Sequence, residues 1–90
     1  EPQGTAFHDT LSSMRLDAVL AGAYRLSRTE SSALIRGGLV KLNHIPCERA
    51  DVAVEEGALL SVRGKGRVRL QSIEGLTRKQ RIGVTFFRYE

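Results

Sequence analysis

Ninety residues with 14 Lys and Arg against 10 Asp and Glu, a net charge of +4 and 41% hydrophobic residues have the composition of one globular domain, with no room for a second core. No apolar run approaches the roughly 18 residues needed to cross a bilayer, and the N-terminal residues lack a basic segment followed by an apolar one, which argues against membrane insertion and secretion. The single Cys47 excludes an internal disulfide, and His8 and His44 are too isolated to complete a metal-ligand cluster with it. No metal, cofactor or catalytic residue is therefore expected, and the free thiol fits a reducing compartment.

The basic charge is unevenly spread. Residues 1–60 hold six Lys or Arg against eight acids, whereas residues 61–90 hold eight against two, Glu74 and Glu90. A polyanionic partner follows from that concentration, with a merely solubilising surface as the alternative. The chain starts at Glu1 and its first methionine is Met14, which reads as a fragment or processed product of something longer.

Residues 1–12 show no sustained period and read as a linker or frayed arm. From Arg15, Leu16, Val19, Leu20 and Ala23 recur at helical spacing, with Ser13 placed to cap, so a first helix is expected over about 13–24. Ser27-Arg28-Thr29-Glu30 carries a capping box and starts a second helix through Ala33, Leu34 and Ile35, which Gly37-Gly38 ends. Val40 to Ile45 alternates as a short strand closed by Pro46. Leu59 to Arg63 and Arg67 to Gln71 alternate as two strands of a hairpin turning at Gly64-Lys65-Gly66, with Leu60, Val62, Val68 and Leu70 inward. Glu74-Gly75 ends the hairpin, Thr77 to Arg81 is a basic connector, and Ile82 to Tyr89 forms a last strand.

The candidate functional residues fall on this layout. Arg28 and Arg36, eight residues apart and thus about 80° apart around a helix, can face one ligand. Alternation sends Arg63, Lys65, Arg67 and Arg69 to one side of the hairpin or to its turn. Ser27, Arg28 and Thr29 place hydroxyls, backbone amides and a guanidinium together at a helix N-terminus, which suits phosphate oxygens as well as capping. Asp17 reads as a partner for a nearby arginine and not as an acid–base catalyst, because no second carboxylate is placed with it. Tyr24, Phe86, Phe87 and Tyr89 read as core, although an exposed ring beside the basic face could stack on a base.

Arg15-Leu16-Asp17, Ser27-Arg28, the run Ile35-Arg36-Gly37-Gly38-Leu39-Val40-Lys41-Leu42-Asn43 and Glu56-Gly57 resemble, in order and spacing, the S-four (ribosomal protein S4-like) RNA-binding domain over residues 14–64. Where many of that family carry Gly-Asp before the late strand, this chain has Gly57-Ala58. Residues 61–67, 75–79 and 86–89 are similar to the C-terminal part of one subfamily: bacterial ribosome-associated proteins linked to cell division or translation quality control, and related cyanobacterial and plastid proteins linked to photosystem II. The resemblance implies an α+β fold, a helix pair on a small, mostly antiparallel sheet with a basic C-terminal hairpin extension. It implies structured RNA, ribosomal or transfer, lying across the second helix. Arg15, Ser27, Arg28, Thr29, Arg36, Lys41 and Asn43 become candidate contacts, to which the charge pattern adds Arg63, Lys65, Arg67 and Arg69. Asn43 also suits a turn by its own chemistry.

A monomeric, non-enzymatic RNA-binding module is thus expected, ribosome-associated and located in a bacterial or cyanobacterial cytoplasm or a plastid stroma. Two other readings stand beside it. One is the RNA-guiding part of a larger enzyme, since such domains accompany pseudouridine synthases and tyrosyl-tRNA synthetases. The other is a protein-interaction module with Ile82–Tyr89 as an exposed edge.

Overall fold

The computed structural model describes residues 3–90, and in it the two short helices lie on one face of a six-stranded antiparallel sheet. In chain order the elements are β1 (Gly4–Leu11), α1 (Leu16–Tyr24), α2 (Arg28–Arg36), β2 (Val40–Leu42), β3 (Ile45–Pro46), β4 (Leu59–Val62), β5 (Gly66–Leu76) and β6 (Ile82–Tyr89). The sheet order is β1-β6-β5-β4-β2-β3. The α+β architecture is the one expected.

α1 buries Leu16, Val19, Leu20 and Ala23 on one stripe against Leu60, Val68, Leu70, Val84 and Phe86 from the sheet. Full burial of each such side chain stabilises by roughly 1.5–3 kcal/mol. The helix starts at Leu16 and not near Ser13, because its first amides are satisfied by main chain: Leu16 N–H donates to the Val52 carbonyl (2.8 Å) and Asp17 N–H to that of Ala50 (3.0 Å). The loop over residues 50–54 thus replaces a side-chain cap. Tyr24 ends α1, and its hydroxyl donates to the Gly66 carbonyl at 2.7 Å, with the Leu60 carbonyl 3.3 Å away, clamping the turn end of the β4–β5 hairpin to the helix.

α2 forms where its capping box sits. Glu30 N–H donates to Ser27 Oγ, Ser27 N–H donates to Glu30 Oε1, and both distances are 3.0 Å. Only Ser31 and Ile35 of its nine residues are buried, so most of the helix surface faces solvent. Gly38, at φ 78°, supplies the left-handed turn into β2.

Three expectations need correction. Residues 1–12 are not an arm over the described part: residues 4–11 are β1, paired along their whole length with β6, while residues 1 and 2 lie outside those described. Asp9 interrupts the apolar alternation of Phe7 and Leu11, so the strand is set by the backbone groups β6 presents and not by its own period. Second, β6 lies between β1 and β5 and is no edge, which removes the interaction module built on its exposure. Third, the strand expected over Val40 to Ile45 is a hairpin: Asn43 (φ 52°) and His44 (φ 71°) make a turn with two positive φ angles, and β2 pairs with β3 across it.

The late hairpin is also longer than its alternation suggests. β5 continues past Glu74-Gly75 to Leu76, because register shifts between Leu70 and Ser72 and between Ile73 and Gly75 absorb the irregularity. Gly57-Ala58 makes its turn without the familiar acid. Gly57 takes φ 90°, Ala58 is buried, and the segment is pinned to β5 through Gly57 N–H to the Leu70 carbonyl at 2.7 Å.

Candidate functional site

One buried carboxylate organises the α2 surface. Asp17, in the first turn of α1, has a side chain only 6% exposed, and two arginines reach it. Arg15 forks onto both oxygens, Nε to Oδ1 at 3.2 Å and Nη2 to Oδ2 at 3.1 Å, while Arg28 Nη2 lies 3.1 Å from Oδ1. Burial works to raise the Asp17 carboxyl, but hydrogen bonds and charge from Arg15 and Arg28 outweigh it and hold the group below the usual carboxylate range. Both guanidinium side chains remain half exposed. The result is two cations held in fixed orientation at the solvent boundary, each with N–H groups to spare.

Beside them a groove of about 250 Å³ is lined by Asp17, Arg28, Thr29, Ser32 and Arg36. Helical spacing therefore does bring Arg28 and Arg36 to one concavity, with the Thr29 and Ser32 hydroxyls between them. Ser27 is committed to the capping box through its hydroxyl oxygen and its amide. Hydrogen bonds from the Ser27 backbone and side chain, with help from the Lys65 charge, hold the Glu30 carboxyl below its ordinary value.

The hairpin cations divide. Lys41, Arg63 and Arg67 border a second groove of about 530 Å³, together with Gly38, His44 and Ser61. The two grooves share no lining residue: the first lies along α2 and the second among β2, β4 and the turn that follows β4. Lys65 stands apart, over an apolar hollow formed by Leu26, Ala33, Leu34 and Leu39 next to Glu30. Arg69 is engaged within the fold, donating from Nε to Tyr89 Oη (2.8 Å) and from Nη1 to the Gly57 carbonyl (2.7 Å). Asn43 uses its side-chain oxygen to accept from Leu59 N–H at 2.9 Å, the turn-holding role its chemistry suggests.

The connector expected at Thr77–Arg81 reaches the other flank of α2. Arg81 donates from Nε and Nη2 to Thr10 Oγ1 and the Thr10 carbonyl, both at 2.9 Å, and faces Arg28 across a hollow that also includes Ser12 and Gly22. No local pattern marks that proximity, since it depends on β1 pairing with β6.

A profile described as the S4 domain matches residues 14–60, from Met14 ahead of α1 to Leu60 in β4, more than half of the chain. The chain belongs to the S4 domain family. Within the S4 segment lie Arg15, Ser27, Arg28, Thr29, Arg36, Lys41 and Asn43, whereas Arg63, Lys65, Arg67 and Arg69 lie beyond it. The chain is 50% identical over 80 residues, 89% of its length, to the Bacillus subtilis protein named ribosome-associated protein quality control protein P2, of which the alignment covers 31%. It is 47% identical over 55 residues, 61% of its length, to uncharacterized RNA pseudouridine synthases of Mycobacterium bovis and Mycobacterium tuberculosis, of which it covers 18%. This S4 chain thus spans about a third or less of the curated relatives it matches. No helix among the described residues is long and apolar enough to cross a membrane.

Proposed function

We propose that this S4 domain binds structured RNA, ribosomal or transfer RNA in a ribosome-associated setting, through the face of α2 and the hairpin that follows. The observation that carries the reading is the Asp17-centred arrangement, which fixes Arg15 and Arg28 beside the groove shared with Thr29 and Arg36. Fixed guanidinium forks and hydroxyls suit phosphate oxygens, and Lys41, Arg63 and Arg67 add cations around the larger groove at the hairpin. The ribosomal setting is supported by the name of the Bacillus relative, whose similarity continues through most of the chain. Shape and backbone are what such a surface recognises, so base specificity on α2 is weak.

The site is read as a binding surface and not a catalytic one. Its one buried carboxylate is neutralised by two arginines and held ionised, which leaves no poised acid or base at the groove. The pseudouridine synthase relatives favour a second reading, in which the domain guides RNA to a catalytic domain elsewhere in a longer chain. A synthase domain in the parent reading frame decides between the two. The domain acts as a monomer in this proposal. The relatives named are bacterial, which supports a bacterial cytoplasm and lends nothing to the plastid stroma.

The test is affinity for ribosomal RNA, transfer RNA and an unstructured polyanion across a salt series, with Arg36→Glu as the variant because Arg36 has no part in the Asp17 cluster. Preference for folded RNA is expected, with log K falling by roughly 0.7–0.9 per phosphate neutralised for each unit of log salt. Arg36→Glu lowers both affinity and slope. Equal weak binding to all three, indifferent to the substitution, rejects the proposal.

A further inference from the structure

The helices cover one face of the sheet, and the other carries no helix, although Leu59 on that side is buried. Residues paired across antiparallel strands share a face, so the register sets Arg67, Ser61 and Lys41 in one row on the helix-free side, with Arg69 opposite Phe87 in the next. Tyr89 continues the first row on β6, where the Arg67 guanidinium lies 5.0 Å from its ring centre. Phe87 and Tyr89 meet edge to face, with centroids 5.1 Å apart and planes at 77°.

Two features distinguish this face from an ordinary solvated sheet. The Tyr89 ring is fixed, because Arg69 donates to its hydroxyl while being itself held by the Gly57 carbonyl. The β1 residues opposite the two rings are Gly4 and Ala6, too small to cover them. At the other end of the row, three strand spacings or about 14 Å away, Lys41 opens on the groove of about 530 Å³ that Arg63 and Arg67 also border.

A fixed ring stacked with a guanidinium, leading over one open surface to a cationic groove, matches unpaired nucleotides. Their bases offer free faces for stacking on aromatic and arginine planes, and their phosphates follow cations. A helical stem offers no free base face. We propose that the helix-free face of the sheet takes a short unpaired stretch of RNA, one base on the Tyr89–Arg67 pair and neighbouring phosphates over Lys41 and Arg63, beside the folded RNA on α2. This rests on the RNA-binding reading above and gives the domain a second class of ligand: a single strand next to a structured element.

The experiment compares binding of an unstructured RNA of about ten nucleotides and of a folded RNA without free single strands to the chain, to Tyr89→Leu, to Tyr89→Phe and to Arg36→Glu. Tyr89→Leu weakens the unpaired RNA about tenfold, in line with loss of one base stack, and leaves the folded RNA within twofold. Tyr89→Phe retains both, and Arg36→Glu weakens the folded RNA more. Unchanged affinity of Tyr89→Leu for the unpaired RNA overturns the proposal. A chain that binds folded RNA but no unpaired strand overturns this proposal alone, whereas a chain that binds neither overturns the RNA-binding reading as well. Photo-crosslinking of a 4-thiouridine strand to the unmutated chain gives a measure independent of variant folding. Crosslinks at Phe87–Tyr89 support the proposal, and crosslinks confined to α2 contradict it.

Discussion

Ser31, wholly buried on α2, donates its hydroxyl to the main-chain carbonyl of Asp17 at 2.8 Å, so the residue that orders Arg15 and Arg28 through its side chain also anchors α2 through its backbone. The helix pair is thereby locked at the point where the basic groove begins. Ser31→Ala removes the inter-helix donor while the Asp17 carbonyl keeps its helical partner, and is expected to cost about 0.5–1.5 kcal/mol in denaturant unfolding. Thr29→Ala, in the same helix but exposed, is expected to change stability by less than about 0.5 kcal/mol. Equal effects at the two positions mean that the inter-helix bond contributes nothing of its own.

Asp17→Asn separates positioning from net charge. The substitution raises the net charge from +4 to +5 by removing one negative charge, and a purely electrostatic surface then binds RNA more tightly. If Asp17 acts by holding Arg15 and Arg28 in place, affinity falls instead, by about three- to tenfold. The same variant has an acid signature. Because the folded carboxyl is held below its ordinary value, its stabilising effect is present above the unfolded value near 4 and is lost as pH falls through the folded one. Unfolding followed from pH 6 to pH 2 should be less steep in Asp17→Asn than in the unmodified chain, and identical profiles count against the ion cluster as a source of stability.

β1 marks where the sequence was legible and where it was not. The helical stripe of Leu16, Val19, Leu20 and Ala23, the Ser27–Glu30 capping box and the alternation of the β4–β5 hairpin are local signals, and each element stands where its signal lies. Gly4–Leu11 carries no such signal because its partner, β6, is some seventy residues away and supplies the pairing. The Asn43–His44 turn was hidden for a related reason: what holds it is Leu59 N–H, sixteen residues on. In the site, helical spacing correctly joined Arg28 to Arg36, but alternation could not foresee that Arg69 would be engaged by Tyr89 and Gly57, nor that Lys65 would lean toward Glu30. Leu11→Ala tests the corrected N-terminus. Leu11 is 4% exposed and packs where Gly22 leaves room in α1, so truncation should cost about 2–5 kcal/mol, whereas a frayed arm loses nothing.

Tyr24 gives a prediction at the opposite end of the pH scale. Burial pushes its phenol well above the ordinary value, while its hydroxyl holds the turn end of the hairpin through the Gly66 carbonyl. A raised folded value means that this contribution is complete below the unfolded value near 10 and is lost as pH climbs toward the folded one. Ionisation would set a phenolate against two carbonyl oxygens, so alkaline conditions should open the β4–β5 hairpin from α1. Tyr24→Phe is expected to cost about 1 kcal/mol at neutral pH and to flatten the loss of stability between pH 10 and pH 12. Hydrogen exchange at the Leu60 and Val68 amides should rise in the same variant, since both lie on the strands that Tyr24 clamps. A variant that keeps the steep alkaline loss and the slow exchange shows that packing alone holds the hairpin, and that the cations it carries owe their placement to the sheet and not to Tyr24.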